Sequence, residues 1–542
     1  MDYKLAQSCK VLVLDDIQLA QGYIKYSLKE LGLTDLYYAD RTETALKQLK
    51  DTRFDLILCA YDLKHEQEGY NLYERLKQEQ RLPSSTAFVI TSADTSAHIV
   101  RAIIELQPDE FIVKPFTVKS LDKRLSVVLE RKRALRNVYQ LMDQQEFNAA
   151  LQELEVVLTN PAHSRFYPTA LRLKGDLLLK LEQYESARDF YEAIVSVQSF
   201  SWAELGLAKA LLALGDNDEA EKRILRIAFK PDAQLAAYDL LKDVNIQRQD
   251  YNSALESLVT AAQLSPHNIE RHKEAVDLAR LAHDHQAQFE SAKKAARYAR
   301  QTLHDHPDNY LTAARAGLDY AMTVEDNDVP DVLHQTQECI KQMTSSFPTA
   351  KNEYDEQLNV VNARLNFLYD DEQKAQKLIN QLSGDVLEND DLETLLDKAK
   401  TFHALGLYER SEKVMNEVEQ RCHQDDQQSR LFIQYVKQEK REKSAIRMNP
   451  RELNNSAVSS YQSGDLNKAL KTFRQAYTIM PKSPSIALNL LQALTDKTGG
   501  ININKNVEQL MHRCIRTIES GELSEDQHSR YQQIRAKLEG SL

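Results

Sequence analysis

The sequence is short of the residues that punctuate a chain. Its 542 residues hold only 14 glycines and 13 prolines. Long stretches instead read as Ala, Leu, Glu, Lys and Gln, which favour helix. Cysteine is also scarce. Cys9, Cys59, Cys339, Cys422 and Cys514 are odd in number, scattered and form no CxxC pair. They read as reduced thiols rather than a disulfide framework, and a cytoplasmic location is expected. No run approaches ~18 uninterrupted apolar residues, so no membrane insertion is expected. The opening "MDYKLAQSCKVLVLDD" lacks an apolar core ending in small residues and does not read as a signal peptide. Positive charge is outnumbered, with 69 Lys and Arg against 81 Asp and Glu and a formal charge of −12. That balance argues against a nucleic-acid partner, which would need a concentrated basic face. The basic stretch at 131–136 is short and reads as a solvated helix face. No phosphate-binding loop, GxSxG or HExxH appears, and no complete set of nucleophile, base and metal ligands can be assembled. An enzyme is not expected.

What is present falls into two textures. Over residues 1 to about 128, short strand-like runs ("KVLVLD", "DLYYA", "FDLILCA", "AFVITSA", "EFIVKPF") alternate with segments of helical period. Such alternation predicts parallel strands joined by right-handed crossovers, hence a doubly wound five-stranded α/β sheet. Ligands of such sheets bind beyond the carboxyl ends of the strands. The places to look are therefore just after Leu14, Cys59, Thr91 and Val113.

Beyond about residue 130 the strand signal stops and helices follow one another. Two segments repeat a common pattern. One places Tyr238, Leu241, Tyr251, Ala254, Leu258, Ala261 and Pro266 in order; the other places Leu453, Ala457, Gly464, Leu466, Ala469, Phe473, Ala476 and Pro481. In both, an Ala precedes the Pro by 12 residues. This is the tetratricopeptide (TPR) pattern of ~34 residues, one helical hairpin per repeat. Looser copies contain Gly175, Tyr184, Ala187 and Tyr191; Trp202, Leu205, Gly206, Gly215 and Ala220; and Gly406, Tyr408 and Ser411. About nine or ten hairpins are expected between 134 and 520. The expected domains are 1–130, then an all-α TPR superhelix over 131–520, then a polar capping helix over 521–542. The charged stretch 436–452 interrupts the array and is expected to be a linker or a long helix with a solvated face. "HDH" occurs at 283–285 and 304–306. The two copies fall at opposite ends of a helix some ~24 Å long, so they read as turn residues rather than one metal site.

The first part resembles the receiver domain of response regulators in two-component signalling. The landmarks are Asp15 and Asp16 after the first strand, "DLILCAYDL", Ser92-Ala93 after the fourth strand and Lys114-Pro115-Phe116 after the fifth. Position 60 lies 44 residues after Asp16, and Lys114 lies 22 after Ser92; both spacings match the family. The resemblance implies a flavodoxin-like fold. It also implies a pocket of Asp15, Asp16, position 60, Ser92, Phe111 and Lys114, in which carboxylates hold Mg²⁺ and one of them accepts phosphate. Here the acceptor's place is taken by Ala60, which has no oxygen. No cofactor, or only weakly bound Mg²⁺ on Asp15 and Asp16, is therefore expected. The two aspartates are expected to pair directly with Lys114. Asp62 lies two residues on, ~6.6 Å along a strand and in the following loop, too far for simple replacement.

A receiver joined to a TPR array, with no output domain, looks like an auxiliary regulator of the VieB type. The expected partners are proteins: a sensor histidine kinase, a companion response regulator, or a peptide in the TPR groove. The leading reading is a binder that acts independently of phosphorylation. Two others stay open. One is a phosphorylation-gated adaptor, using Asp62 or an Asp lost from position 60 by engineering. The other is a TPR scaffold whose receiver forms a homodimer through its fourth helix, fifth strand and fifth helix.

Overall fold

The computed structural model describes residues 2–539 apart from 65–67, 301, 303, 325–327, 350–352, 424–426, 446–449, 499–504 and 522. A short helix, α1 (Tyr3–Ser8), precedes the alternating region. There follow β1 (Lys10–Leu14), α2 (Gln18–Glu30), β2 (Asp35–Ala39), α3 (Thr42–Asp51), β3 (Leu56–Ala60), α4 (Glu68–Gln78), β4 (Ala87–Ser92), α5 (Ala97–Leu106), β5 (Glu110–Val113) and α6 (Val118–Ala134). The five strands pair in parallel in the order β2-β1-β3-β4-β5. Every residue of β3 and β4 is buried. This fits central strands covered on both faces, which read as continuous apolar runs. Two apolar layers flank the sheet, one containing Leu12, Leu14, Ile57 and Phe88, the other Val11, Val13, Leu56 and Val89. The alternation of neighbours between layers follows from the two-residue period of a strand.

Beyond α6 the described residues form helices joined by turns, with no strand. They pair as α7/α8 (Arg136–Asp143, Phe147–Thr159), α9/α10 (Tyr167–Lys180, Tyr184–Val197), α11/α12 (Ser201–Ala213, Asn217–Ile227) and α13/α14 (Gln234–Gln247, Tyr251–Leu264). Next come α15/α16 (Ile269–Leu281, His285–Ala299), α17/α18 (Pro307–Ala321, Val329–Ser346), α19/α20 (Asp355–Leu368, Glu372–Asn380) and α21/α22 (Leu392–Ala404, Tyr408–Arg421). A single helix, α23 (Gln427–Ala445), precedes α24/α25 (Pro450–Gln462, Leu466–Ile479), α26/α27 (Pro484–Thr498, Lys505–Ser520) and a last helix α28 (Glu525–Glu539). The repeat positions read from sequence are core: Ala254, Leu258, Ala261, Ala469, Phe473 and Ala476 are all buried. Small residues let the helices close up. Gly175 and Gly206 sit on either side of the buried Tyr191 ring, and a methyl at Gly206 would meet that ring at 2.2 Å.

Five of the described hairpin turns share one device. A residue in the left-handed region is followed by an N-cap that starts the second helix. Gly215-Asp216, Gln249-Asp250, His283-Asp284, Asp370-Asp371 and Gly464-Asp465 all follow this plan. Each aspartate accepts a hydrogen bond from the N–H three residues on, satisfying a donor that the helix leaves unpaired. The first "HDH" is one of these turns. In the second, His306 caps α17 through Asp308 N–H, and Asp305 accepts from Tyr310.

Two compact units result, one of residues 1–268 with 301–304, the other of residues 269–300 with 305–542. Within the first, the sheet region touches residues that follow it in the chain. Glu105 of α5 accepts hydrogen bonds from Ser265 at 2.6 Å and from Asn268. The Glu74 carboxylate lies 3.2 Å from His304.

Charged stretches depart from expectation in both units. In the basic stretch at 131–136, Arg133 is exposed, but Arg131 and Lys132 are largely covered and both pair with Asp109 at 2.9 Å. The stretch from 436 is helical to Ala445, and 446–449 lies outside the described residues. Its face is not solvated throughout. Glu439 and Glu442 keep only 12% and 16% side-chain exposure because each meets a partner, Lys400 and His283. A carboxylate can leave water when a fixed cation or hydrogen-bond donor replaces its hydration.

Candidate functional site

The site forms where β1, β3, β4 and β5 end together. Leu14 is level with Cys59, Ala60 with Thr91, and Ser92 with Val113. Asp15 is the next residue after β1 and extends the ladder by donating its N–H to Ala39 at 3.2 Å. Its side chain is buried. One carboxylate oxygen accepts from the Ile17 N–H at 3.0 Å, and the other lies 2.5 Å from Lys114 Nζ. Lys114 follows β5, and its N–H donates to the Ser92 carbonyl at 2.8 Å. In the sheet, β3 and β4 lie between β1 and β5. The lysine therefore reaches across the ends of both intervening strands to close on Asp15. The peptide between Lys114 and Pro115 is cis.

Asp16 takes no part in this pair. It is half-buried, and its side chain has no hydrogen-bond or ion-pair partner among the described residues. The expectation that both aspartates meet Lys114 is corrected to one. Geometry is the reason: consecutive residues leaving a strand point to different sides.

Ala60 ends β3 with 3% exposure. Its surroundings are tight. A methyl added at Gly69, in the first turn of α4, would lie 1.8 Å from the Ala60 carbonyl oxygen. The Gly69 N–H donates to Tyr61 at 3.0 Å, seating α4 against the strand end. Beneath lies the buried Cys59 thiol. Burial pushes it up, Asp15 adds to that, Lys114 opposes it and Glu68 again raises it. Glu68 has no clear sequence signal. It accepts a hydrogen bond from Thr42, and its other carboxylate oxygen is buried with no donor. Asp62 is exposed in the loop after β3. Ser92 is buried, and its hydroxyl accepts from the Asp94 N–H at 3.0 Å. Phe111 is half-buried on β5. It lines a cleft of about 550 Å³ with Ile104, Arg172, Trp202 and Lys209, all within the first compact unit.

The donors that remain fit a magnesium ion poorly. Mg²⁺ asks for octahedral oxygen ligands. One Asp15 oxygen is already held by a cation, and among the described residues no three His, Cys, Asp or Glu side chains gather closely enough to hold a metal. Among the described residues no helix is long and apolar enough to cross a membrane. The five cysteines are unpaired thiols.

Residues 11–126 match the family model of the response regulator receiver domain, and residues 170–200 match a tetratricopeptide repeat. The second match falls on α9/α10, one of the looser copies. The chain is 28% identical over 131 residues to the chemotaxis protein CheY-3 of Vibrio cholerae, covering 24% of this chain and 99% of that one. It is 27% identical over 122 residues to the chemotaxis protein CheY of Pseudomonas aeruginosa, covering 22% and 97%. Among solved structures, the chemotaxis response regulator CheY4 of Vibrio cholerae is similar at 22% identity, covering 22% of this chain and 98% of that one with a TM-score of 0.21. A tetratricopeptide repeat protein of Parabacteroides merdae covers 57% and 98% at 11% identity and a TM-score of 0.28. The chain thus carries a response regulator receiver domain followed by a helical array that includes a tetratricopeptide repeat.

Proposed function

We propose that this protein is an auxiliary regulator of two-component signalling whose receiver binds a sensor histidine kinase or a companion response regulator without itself taking phosphate. The observation that carries the reading is the Asp15–Lys114 pair at 2.5 Å, closed across the end of β3 where Ala60 stands. In a receiver that position would hold the acceptor carboxylate. A methyl group offers neither a nucleophile nor a metal ligand. It also leaves the lysine free to satisfy Asp15 directly. A pocket closed on itself in this way keeps the receiver's surface while lacking its reaction. Neither matched domain is of a catalytic type.

The homodimer reading is less favoured. The fourth helix of the sheet region is α5 here, because α1 adds one. Its Glu105 is engaged by Ser265 and Asn268 of the same chain.

Intact-mass measurement after incubation with Mg²⁺ and acetyl phosphate tests the proposal. No mass gain is expected, with kinase binding retained in a pull-down. A stoichiometric, acid-labile gain of one phosphoryl group would overturn it in favour of the phosphorylation-gated adaptor.

A further inference from the structure

The hairpin order of the second compact unit breaks at α23. Among the described residues α23 packs chiefly on α22 and on α15, and lacks the extensive packing on α24 that a further hairpin would require. Its neighbour α15 lies some 150 residues earlier in the chain. The first helices of four successive hairpins, α15, α17, α19 and α21, turn charged side chains toward one hollow, and α23 lies against it. Arg280, Arg315, Arg364 and Lys400 supply four cations; Asp277, Asp319, Glu393 and Asp397 supply four anions. A fifth anion is Glu439 of α23, 3.8 Å from Lys400. Tyr435 of α23 lies under two of the cations, 5.4 Å from the Arg280 guanidinium and 5.1 Å from Lys400 Nζ. One helical face carries these contacts, since Leu431, Tyr435, Glu439 and Glu442 recur at intervals of three or four. The opposite face, with Lys437 and Arg441, is exposed.

Two features mark α23 as an occupant rather than an ordinary repeat. It stands outside the hairpin pairing, and it does not fully satisfy the hollow. The Nε donors of Arg280 and Arg364 are buried without an acceptor, a costly arrangement. We propose that α23 is a built-in stand-in for a partner's amphipathic helix that carries an apolar residue, a tyrosine and two carboxylates at i, i+4, i+8 and i+11, and that such a helix displaces α23 from the hollow. This assignment concerns the second unit and stands whether or not the receiver takes phosphate.

A fluorescein-labelled peptide of residues 427–445 serves as the probe, read by anisotropy against the full chain. The Tyr435→Ala/Glu439→Ala chain, with its own helix weakened, is expected to bind the peptide at least tenfold more tightly than the unaltered chain. The same peptide with Glu439→Lys and Glu442→Lys is expected to lose that binding. Equal or absent binding by a variant that keeps its cooperative thermal transition would overturn the proposal. Should the variant not fold, hydrogen exchange of the unaltered chain decides. Amides of α23 are expected to exchange at least tenfold faster than those of α21, and exchange of both in one cooperative unit would overturn the proposal.

Discussion

Position 60 carries a methyl group where the proposed reading looks for an acceptor. On that reading a carboxylate placed there supplies a nucleophile and a third oxygen donor beside Asp15 and Asp16. Ala60→Asp is therefore expected to gain one acid-labile phosphoryl group from acetyl phosphate and Mg²⁺, detectable by intact mass, where the unaltered chain gains none. Lys114 tests the same pocket from the other side. Asp15 is buried and Lys114 about one-fifth exposed, so the pair sits between the exposed and the fully buried cases. Lys114→Met leaves a buried carboxylate without its cation and is expected to cost about 2 kcal/mol, read by urea unfolding. A receiver region unchanged in stability would show that water satisfies Asp15 equally well.

Among the elements, the hairpin turn is the recurring unit. Its left-handed residue costs little for glycine and more for any residue with a Cβ. Gly215, at φ +83°, has open space around it, so Gly215→Ala isolates the backbone term. A loss of about 1 kcal/mol is expected in denaturant titrations. The following aspartate acts separately. Asp250→Ala removes the acceptor of the Ser253 N–H and is expected to cost about 1 kcal/mol. Gln249 and His283 hold the same backbone as Gly215. Sequence reading finds the turn where glycine announces it and passes over it elsewhere, because a well-packed hairpin can force a residue with a side chain into the left-handed region.

For the molecule as a whole, the buried charges of the second unit tie its stability to pH. Burial resists ionisation of Glu439, but Lys443 and Lys400 outweigh that and hold its carboxyl at about 2 against an ordinary 4.5. Asp319 is likewise held low; burial opposes this, and Lys400 and Arg364 prevail. A carboxyl depressed on folding contributes stability that is complete above its unfolded value and is lost as pH falls through its folded value. Stability of the second unit is thus expected to decline as pH drops from about 5 toward 2, measured by urea midpoints. Glu439→Gln is expected to start less stable at pH 7 and to show a shallower decline. His285 adds an earlier step in the same direction. Burial outweighs Asp319 and keeps it neutral, so protonation near its ordinary range works against the fold.

The sequence by itself determined the parallel α/β sheet and the helical hairpins, and it pointed to the strand ends where Asp15, Ala60, Ser92 and Lys114 lie. Those features rest on local periodicity and on fixed spacing along the chain, both of which survive in one dimension. Tertiary structure decided which aspartate meets Lys114, because that depends on the side to which each residue leaves β1. It also decided that Glu105 belongs to a contact with Ser265 and Asn268, and that α23 lodges beside α15. The charged run that overlaps the end of α23 reads as solvated because composition registers charge and not the partner that neutralises it. Lys400 is far from Glu439 in sequence and meets it only once the helices that carry them pack together.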